Sequence, residues 1–505
     1  MKTLATKIMT VTVASLVLAS VLASGAQANV AGLANAQNLL KNGNYSAAAP
    51  EFFDILSTSQ SVPERQDAEW GLAQALDGGG YQVAALIYYI GVFKFGTTHR
   101  HYVDSVGALV SVARALHDDF VVPATLNARF DADAFEKLDA DKVNAINYMI
   151  GGLSYRQGKY DDAASLLSGV AKNAQDFLRA HYLLGVIHVR QHDNAGAIKI
   201  FDEVEQAVKA DEDEDTERAE VRRLAILGKA RCEYALGHFK EATALYNEVP
   251  RYTHEWFDAV FENGWAYYQQ EDYGRALGQV ESVLSPYFEK RFRPEAYVLA
   301  ATVYYSNCQW DRTRGTLDKF RERYETDQAQ LEKYLAGARP EAIYYKDLIE
   351  SNASIPNEIL RQVRRNGRFL NYHRIIAEIT REQDLLNRAD NARTGRLGEE
   401  LKSILADQRG TFEDYSGKWV HKTLANYDKT ILAQFINQAR YIKFETATSE
   451  KEILEAGGDV AAKERKRLPR PDIPSDQYQH WNFKGEYWAD ELGYYVHGVR
   501  KECLE

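Results

Sequence analysis

The sequence predicts an all-α chain: an α-solenoid of about seven helical hairpins, then long amphipathic helices and an aromatic C-terminal tail. Three observations predict it. Residues 143–325 form a run of near-repeats, in which Gly151 falls over Gly185, Ala163 over Ala197, and Tyr273–Ala276 over Phe239–Ala242, each at an offset of 34 residues. Ala, Leu, Glu, Gln and Lys recur throughout, and the period-two alternation of strands is nearly absent. Beyond the repeats, apolar residues keep stepping by three and four.

The residue types follow from packing. Two short antiparallel helices approach closely only where small residues stand at their crossing. Those positions are Gly151, Gly185, Ala230, Gly264 and Ala301 on the first helix, and Ala163, Ala197, Ala242 and Ala276 on the second. The intervening turn holds Gly158, His192, Gly237, Glu271 or Cys308, and Tyr160, Asn194, Phe239, Tyr273 or Trp310 plugs the seam. This small–aromatic–Ala spacing at a 34-residue period is the tetratricopeptide repeat (TPR) signature, so a TPR-type α-solenoid is expected. One hairpin cannot bury its apolar faces alone, so neighbours must stack.

The chain has 505 residues, 45% of them hydrophobic and 26% charged, enough to bury a core. A net charge of −11 makes it a poor partner for a phosphate backbone, so no nucleic acid is expected. Three cysteines, Cys232, Cys308 and Cys503, are too few for a disulfide framework. One pair fits an oxidising compartment, and the sequence does not choose it. No Cys/His cluster has metal spacing, and no cofactor is expected.

Met1–Ala28 reads as a signal peptide. Lys2 and Lys7 precede the apolar run Ile8–Ala23, and Ala26-Gln27-Ala28 supplies the cleavage site. No second stretch is apolar enough to span a bilayer, so no transmembrane segment is expected after cleavage. The solenoid then covers 29–325. Hairpins are expected at 31–60 and 66–95, turning at Gly43 and at Gly78–Gly80. Residues 100–140 are degenerate: Val103–Ala113 is helical, and Phe120–Lys137, with Pro123, is a long loop or an irregular hairpin. Hairpins follow at 143–171, 177–207, 219–250, 254–288 and 293–325. The run Asp211–Asp215 belongs to an insertion that reads as a solvated acidic loop, since it lacks the glycine and spaced ligands of a calcium loop. His99 and His101 beside Arg100 read as a surface turn.

Residues 326–458 form a long-helix region. One amphipathic helix is expected over 357–389 and a longer pattern over Leu397–Ile442, with breaks at Gly410 and Gly417. The first pairs with part of the second as an antiparallel hairpin, and the rest lies along the repeats or against another protein. Residues 459–476 form a linker, with Lys463–Arg467 basic and three prolines up to Pro474. The aromatic segment 477–505 has two readings. Either it folds back and caps the long helices through Trp481, Phe483, Trp488 and Tyr494, or it docks a partner through Trp481, Phe483, Tyr487 and Trp488.

The leader, the degenerate repeats, the long helices and the closing run Phe483–Tyr495 with Cys503 resemble the exported TPR proteins of adventurous gliding motility. Related envelope proteins occur in gliding and predatory Gram-negative bacteria. The resemblance implies a periplasmic or outer-membrane-associated scaffold in a multiprotein envelope complex, with envelope proteins or peptides as partners. It implies no catalytic residue.

On the residues themselves, a non-catalytic binding scaffold is the leading reading. The alternatives are a structural homo-oligomer built through the long helices, and a cell-wall enzyme with the array as its targeting arm. Against an enzyme, no nucleophile elbow, His-Glu-x-x-His or P-loop occurs. The repeat register selects a candidate groove on the first helices. One column holds Tyr155, Val189, Tyr234, Tyr268 and Tyr305, with Arg156 and Arg190 following its first two members. A second holds Tyr148, Tyr182, Leu227, Phe261 and Val298. Tyrosine joins an apolar ring to a hydroxyl at low entropic cost, which suits a binding surface, and the two arginines suit a ligand carboxylate. Stacking of the rings between neighbouring repeats accounts for the pattern equally well.

Overall fold

The computed structural model describes residues 26–129, 135, 137–208, 213, 216–388, 391–456 and 485–503. Every regular element among them is helical. The chain divides into two compact units: residues 1–180, 339–347 and 366–420, and residues 181–338, 348–365 and 421–505.

The first unit is built on four hairpins: α1 (Ala26–Lys41) with α2 (Tyr45–Thr58), α3 (Val62–Gly78) with α4 (Gln82–Phe95), α5 (Tyr102–Leu116) with α6 (Val121–Ala128), and α7 (Ala140–Arg156) with α8 (Tyr160–Ser168). The degenerate stretch therefore contains an irregular hairpin. Pro123 is accommodated in the first turn of α6, where backbone N–H groups lack intrahelical partners. Buried Asp118 accepts the N–H groups of Phe120, Val121 and Val122 at 2.9, 2.8 and 2.7 Å, and so caps the helix. The crossing rule is visible at Gly151, where a Cβ would lie 2.8 Å from Cγ of Leu167.

The second unit holds the later hairpins. They are α9 (Phe177–Arg190, whose first residues count with the first unit) with α10 (Asn194–Gln206), α11 (Glu217–Ala235) with α12 (Phe239–Glu248), α13 (His254–Gln269) with α14 (Tyr273–Val283), and α15 (Pro294–Ser306) with α16 (Trp310–Leu335). Eight hairpins thus stand among the described residues, where about seven were expected. A Cβ on Gly185 would meet the Phe201 ring at 2.5 Å, and Ala197, Ala242 and Ala276 are fully buried. The turn residues His192, Gly237, Glu271 and Cys308 share φ values of 64, 84, 60 and 58°, a left-handed position that glycine fills most cheaply.

The back half differs from expectation in two ways. The single helix over 357–389 is two, α18 (Asn357–Arg364) and α19 (Gly367–Arg388), because Asn366 leaves the helix and its side chain accepts the N–H of Arg368 at 3.0 Å. The breaks expected at Gly410 and Gly417 are absent. Helix α20 (Asn391–Asn426) runs through both, leaving helical geometry at Gly395 and passing through a π-turn, Tyr427–Leu432, into α21 (Ala433–Glu455). Gly417 serves close approach instead: a Cβ there would lie 1.8 Å from the carbonyl of Glu341, in α17 (Glu341–Ile349).

These later helices pack on the repeats of their own units. In the first, α19 lies against α4 and α5. Fully buried Glu382 of α19 accepts the N–H groups of Val83 and Ala84 at 2.6 and 3.1 Å, at the start of α4. Burial pushes its carboxyl up to about 7. The later part of the expected hairpin partner, α19, runs antiparallel to α20: the Phe369 and Trp419 rings lie tilted at 6.5 Å, and Arg409 donates to Gln383 at 3.2 Å. In the second unit, α21 lies along α15 and α16, held by Arg314 on Glu450, Arg440 on Glu325 at 3.0 Å and Lys443 on Asp318 at 3.2 Å.

Candidate partner-binding face

The first tyrosine column comes together as a ladder. Within each hairpin the tyrosine ring meets the aromatic five residues on: Tyr155 with Tyr160 at 5.9 Å, Tyr234 with Phe239 at 5.3 Å, Tyr268 with Tyr273 at 5.8 Å and Tyr305 with Trp310 at 5.6 Å. In the second unit each hydroxyl reaches onward along the array. Tyr234 accepts from Gln269 at 3.4 Å, Tyr268 meets Ser306 at 3.0 Å, and Tyr305 meets Ser449 of α21 at 3.3 Å. The column is therefore partly architectural, joining consecutive hairpins. Its rings stay half-buried, and Val189 and Arg190 are exposed. At Tyr305 the column is covered by α21, so the expected floor ends at Tyr268.

The second column belongs mainly to the core. Phe261 is 3% exposed beneath the Arg293 guanidinium, and Leu227 and Val298 are buried. Phe261 thus leaves the candidate groove: its side points into the seam between hairpins, where large rings fill volume. Tyr148 is half-buried, and burial raises its hydroxyl pKa. Tyr182 packs on Phe201 at 5.7 Å. Arg156 is engaged within the first unit by the side chain and carbonyl of Asp119, which corrects its reading as a receptor for a ligand carboxylate.

The described part of the aromatic tail folds back onto the repeats. Residues 485–503 lie on the repeats from Arg251 to Gln309. Leu492, 2% exposed, is the peg that enters the core of α13 and α14. Arg251 donates to the carbonyls of Ala489, Asp490 and Leu492, and stacks on Tyr494 at 4.9 Å. Gly493 is fixed twice, donating to Ser282 at 2.8 Å and accepting from Gln279 at 2.7 Å. The chain then crosses Gly278 and Gly274. A Cβ at Gly278 would lie 1.6 Å from the carbonyl of Tyr495, and His497 donates to the Gly274 carbonyl at 2.9 Å. The end is bonded by a Cys308–Cys503 disulfide, leaving Cys232 as a buried free thiol. Tyr487 donates to Glu281 at 2.6 Å, whereas Trp488 and Tyr494 are 60% and 55% exposed. For the described residues the capping expectation needs two corrections: residues 485–503 strap the repeats, and Leu492 is buried where Trp488 and Tyr494 are exposed. Trp481 and Phe483 lie outside the described residues.

Other sequence candidates are structural. His101 stacks on Trp70 at 5.4 Å and meets Asp67 at 2.8 Å. His99 is buried beside Glu69 rather than on a surface turn. Of the acidic run 211–215, only Asp213 is described, and its carbonyl accepts the Thr216 hydroxyl. Among the described residues no group of three His, Cys, Asp or Glu is placed to hold a metal ion, and no helix is long and apolar enough to cross a membrane.

The hairpins, their left-handed turns and their small crossing residues define the fold as a TPR-like α-solenoid. The sequence profile of the tetratricopeptide repeat family matches residues 33–90 and 148–215. Among solved structures, a tetratricopeptide repeat protein from Parabacteroides merdae ATCC 43184 is similar at 14% identity, covering 59% of this chain and 93% of its own, with a TM-score of 0.27. A Rap protein complexed with competence and sporulation factor is similar at 10% identity, covering 79% and 99%, with a TM-score of 0.28. No curated protein matches.

Proposed function

We propose that the chain is a non-catalytic scaffold, exported to the periplasm, that holds an envelope protein on the first-helix face of its second unit. The observation that carries this is the stretch from exposed Val189 to half-buried Tyr234 and Tyr268, flanked by exposed Arg190. It offers aromatic edges at repeat spacing, which suits an extended or helical segment with an acidic residue near Arg190. The strongly perturbed carboxyl of Glu382 holds a helix start rather than lining a cleft. Export is supported by the leader and by the Cys308–Cys503 bond, which fits an oxidising compartment. Membership of an envelope complex, and service in gliding motility, rest on the resemblance of the leader, helices and closing segment. The reading is tested by exchanging Tyr234 and Tyr268 for Ser and measuring recovery of the crosslinked partner from cells. Loss with unchanged circular dichroism supports it, and undiminished recovery refutes it.

One observation favours the homo-oligomer as a second reading. Tyr441 and Phe444 stand 64% and 66% exposed on one face of α21. Sedimentation of the purified protein decides: a monomer that stays monomeric at high concentration removes this reading.

A further inference from the structure

In the second unit, the end of α16 and the π-turn Tyr427–Leu432 frame an open cleft of about 430 Å³. Gln328, Glu332, Leu335, Ala336, Asp428 and Lys429 line it. The Gln328 amide donates to the main-chain carbonyl of Asp428 at 3.1 Å, which ties the two walls together. A π-turn takes its side chains out of the ordinary helical register, and such turns recur at functional sites.

Three features of the cleft favour positive charge. Asp428 is 4% exposed, and its Oδ1 has no hydrogen-bond partner among the described residues. A carboxylate buried in that state works against folding, so packing alone gives it no role. Glu332 lines the same cleft, is exposed, and forms no ion pair among the described residues. Leu335 and Ala336 close α16, so the carbonyls of its last turn bring the negative end of a 26-residue helix to the site. Burial raises the Asp428 pKa and Glu332 adds to the rise, while Lys429 and Gln328 act the other way. Lys429 stands exposed at the rim and pairs with neither acid among the described residues.

We propose that this cleft binds an organic cation, an ammonium or guanidinium head on a short aliphatic stem. Asp428 takes the head through a charge-assisted hydrogen bond. Glu332 supplies a second carboxylate, and Leu335 and Ala336 lie along the stem. Among the described residues no third acid, histidine or cysteine joins the two carboxylates, so the donor set does not suit a metal ion. The volume fits a small organic group. The groups facing Asp428 are Glu332, Lys429 and Gln328. A bound cation offsets the field of Glu332 and so favours the ionised form of Asp428.

The test uses the full disulfide-bonded chain and calorimetry with n-butylguanidinium and n-butylammonium, against neutral n-butylurea at equal ionic strength. At least one cation should bind about tenfold or more above the urea, and binding should weaken as pH falls and Asp428 takes up a proton. Asp428→Asn should abolish that preference without lowering the thermal midpoint, because it removes a buried charge. Glu332→Gln, at an exposed position, should weaken binding several-fold with unchanged circular dichroism, and Lys429→Gln should strengthen it. Cations that bind no better than the urea, or equally well to both acid variants and the parent, overturn the proposal. So does a marked loss of stability in Asp428→Asn, which would make that carboxylate structural. A blocked pentapeptide with one arginine among glycines separates the sources. Its capture, competed by n-butylguanidinium, assigns the side chain of a protein partner. Binding of the free cations without the peptide assigns a small amine.

Discussion

Cys503 is bonded to Cys308, which occupies the left-handed turn of the last hairpin at φ 58°, the position that Gly158 and Gly237 fill in earlier repeats. The bond closes a separation of 195 residues. A link of this span acts mainly by restricting the unfolded chain, and replacing Cys503 with Ser should lower stability by about 2–5 kcal/mol. Denaturant titration under non-reducing conditions measures it. A variant as stable as the parent would show that the strap is held by its other contacts alone.

Leu492 is the apolar anchor of that strap, among Trp256, Val260 and their neighbours. Leu492→Ala should destabilise by about 2–4 kcal/mol if the site keeps its shape. Limited proteolysis should then cut at Arg500 or Lys501 faster than in the parent. Equal protection of the tail would place the anchor elsewhere.

The crossing glycines give a third prediction. A Cβ on Gly185 would meet the Phe201 ring at 2.5 Å. Gly185→Leu should overpack the α9–α10 seam and lower stability by about 1–3 kcal/mol. By contrast Gly315, with nothing within 4 Å of its Cβ position, should accept Ala without loss. Thermal melts of the two variants should therefore separate, and coincident curves would contradict this packing.

Glu382 gives a pH dependence. Its carboxyl titrates near 4.5 when unperturbed and is pushed up to about 7 by burial in the folded chain. The folded state therefore binds the extra proton across that window. Its stabilising contribution is fully present below about 4.5 and is lost as pH rises through about 7. Glu382→Gln should flatten the stability profile between those values. An unchanged slope would mean that another group titrates there.

Much of the array was legible in the sequence because its constraints are local. A small residue at a crossing and a left-handed turn leave marks at fixed offsets, as at Gly185 and Gly237. The back half carries no such period, and its contacts join residues far apart. Glu382 reads as one more surface acid until α4 is placed against it. Leu492, amid tyrosines and tryptophans, gives no sign that it is the buried member of the described tail. The tyrosine column was visible as a pattern, but its partners Gln269, Ser306 and Ser449 lie at no constant spacing. Its double role, as ladder and as surface, therefore emerges only in three dimensions.

The most direct test is a photo-crosslinking aromatic amino acid placed at Tyr268 in living cells, with Lys240 on the exposed second-helix face as the control. An aromatic replacement preserves the ring packing against Tyr273. The account predicts a discrete adduct with one envelope protein from position 268 and none from position 240. Adducts from 240 alone, or none from 268 in a folded and exported protein, would contradict it.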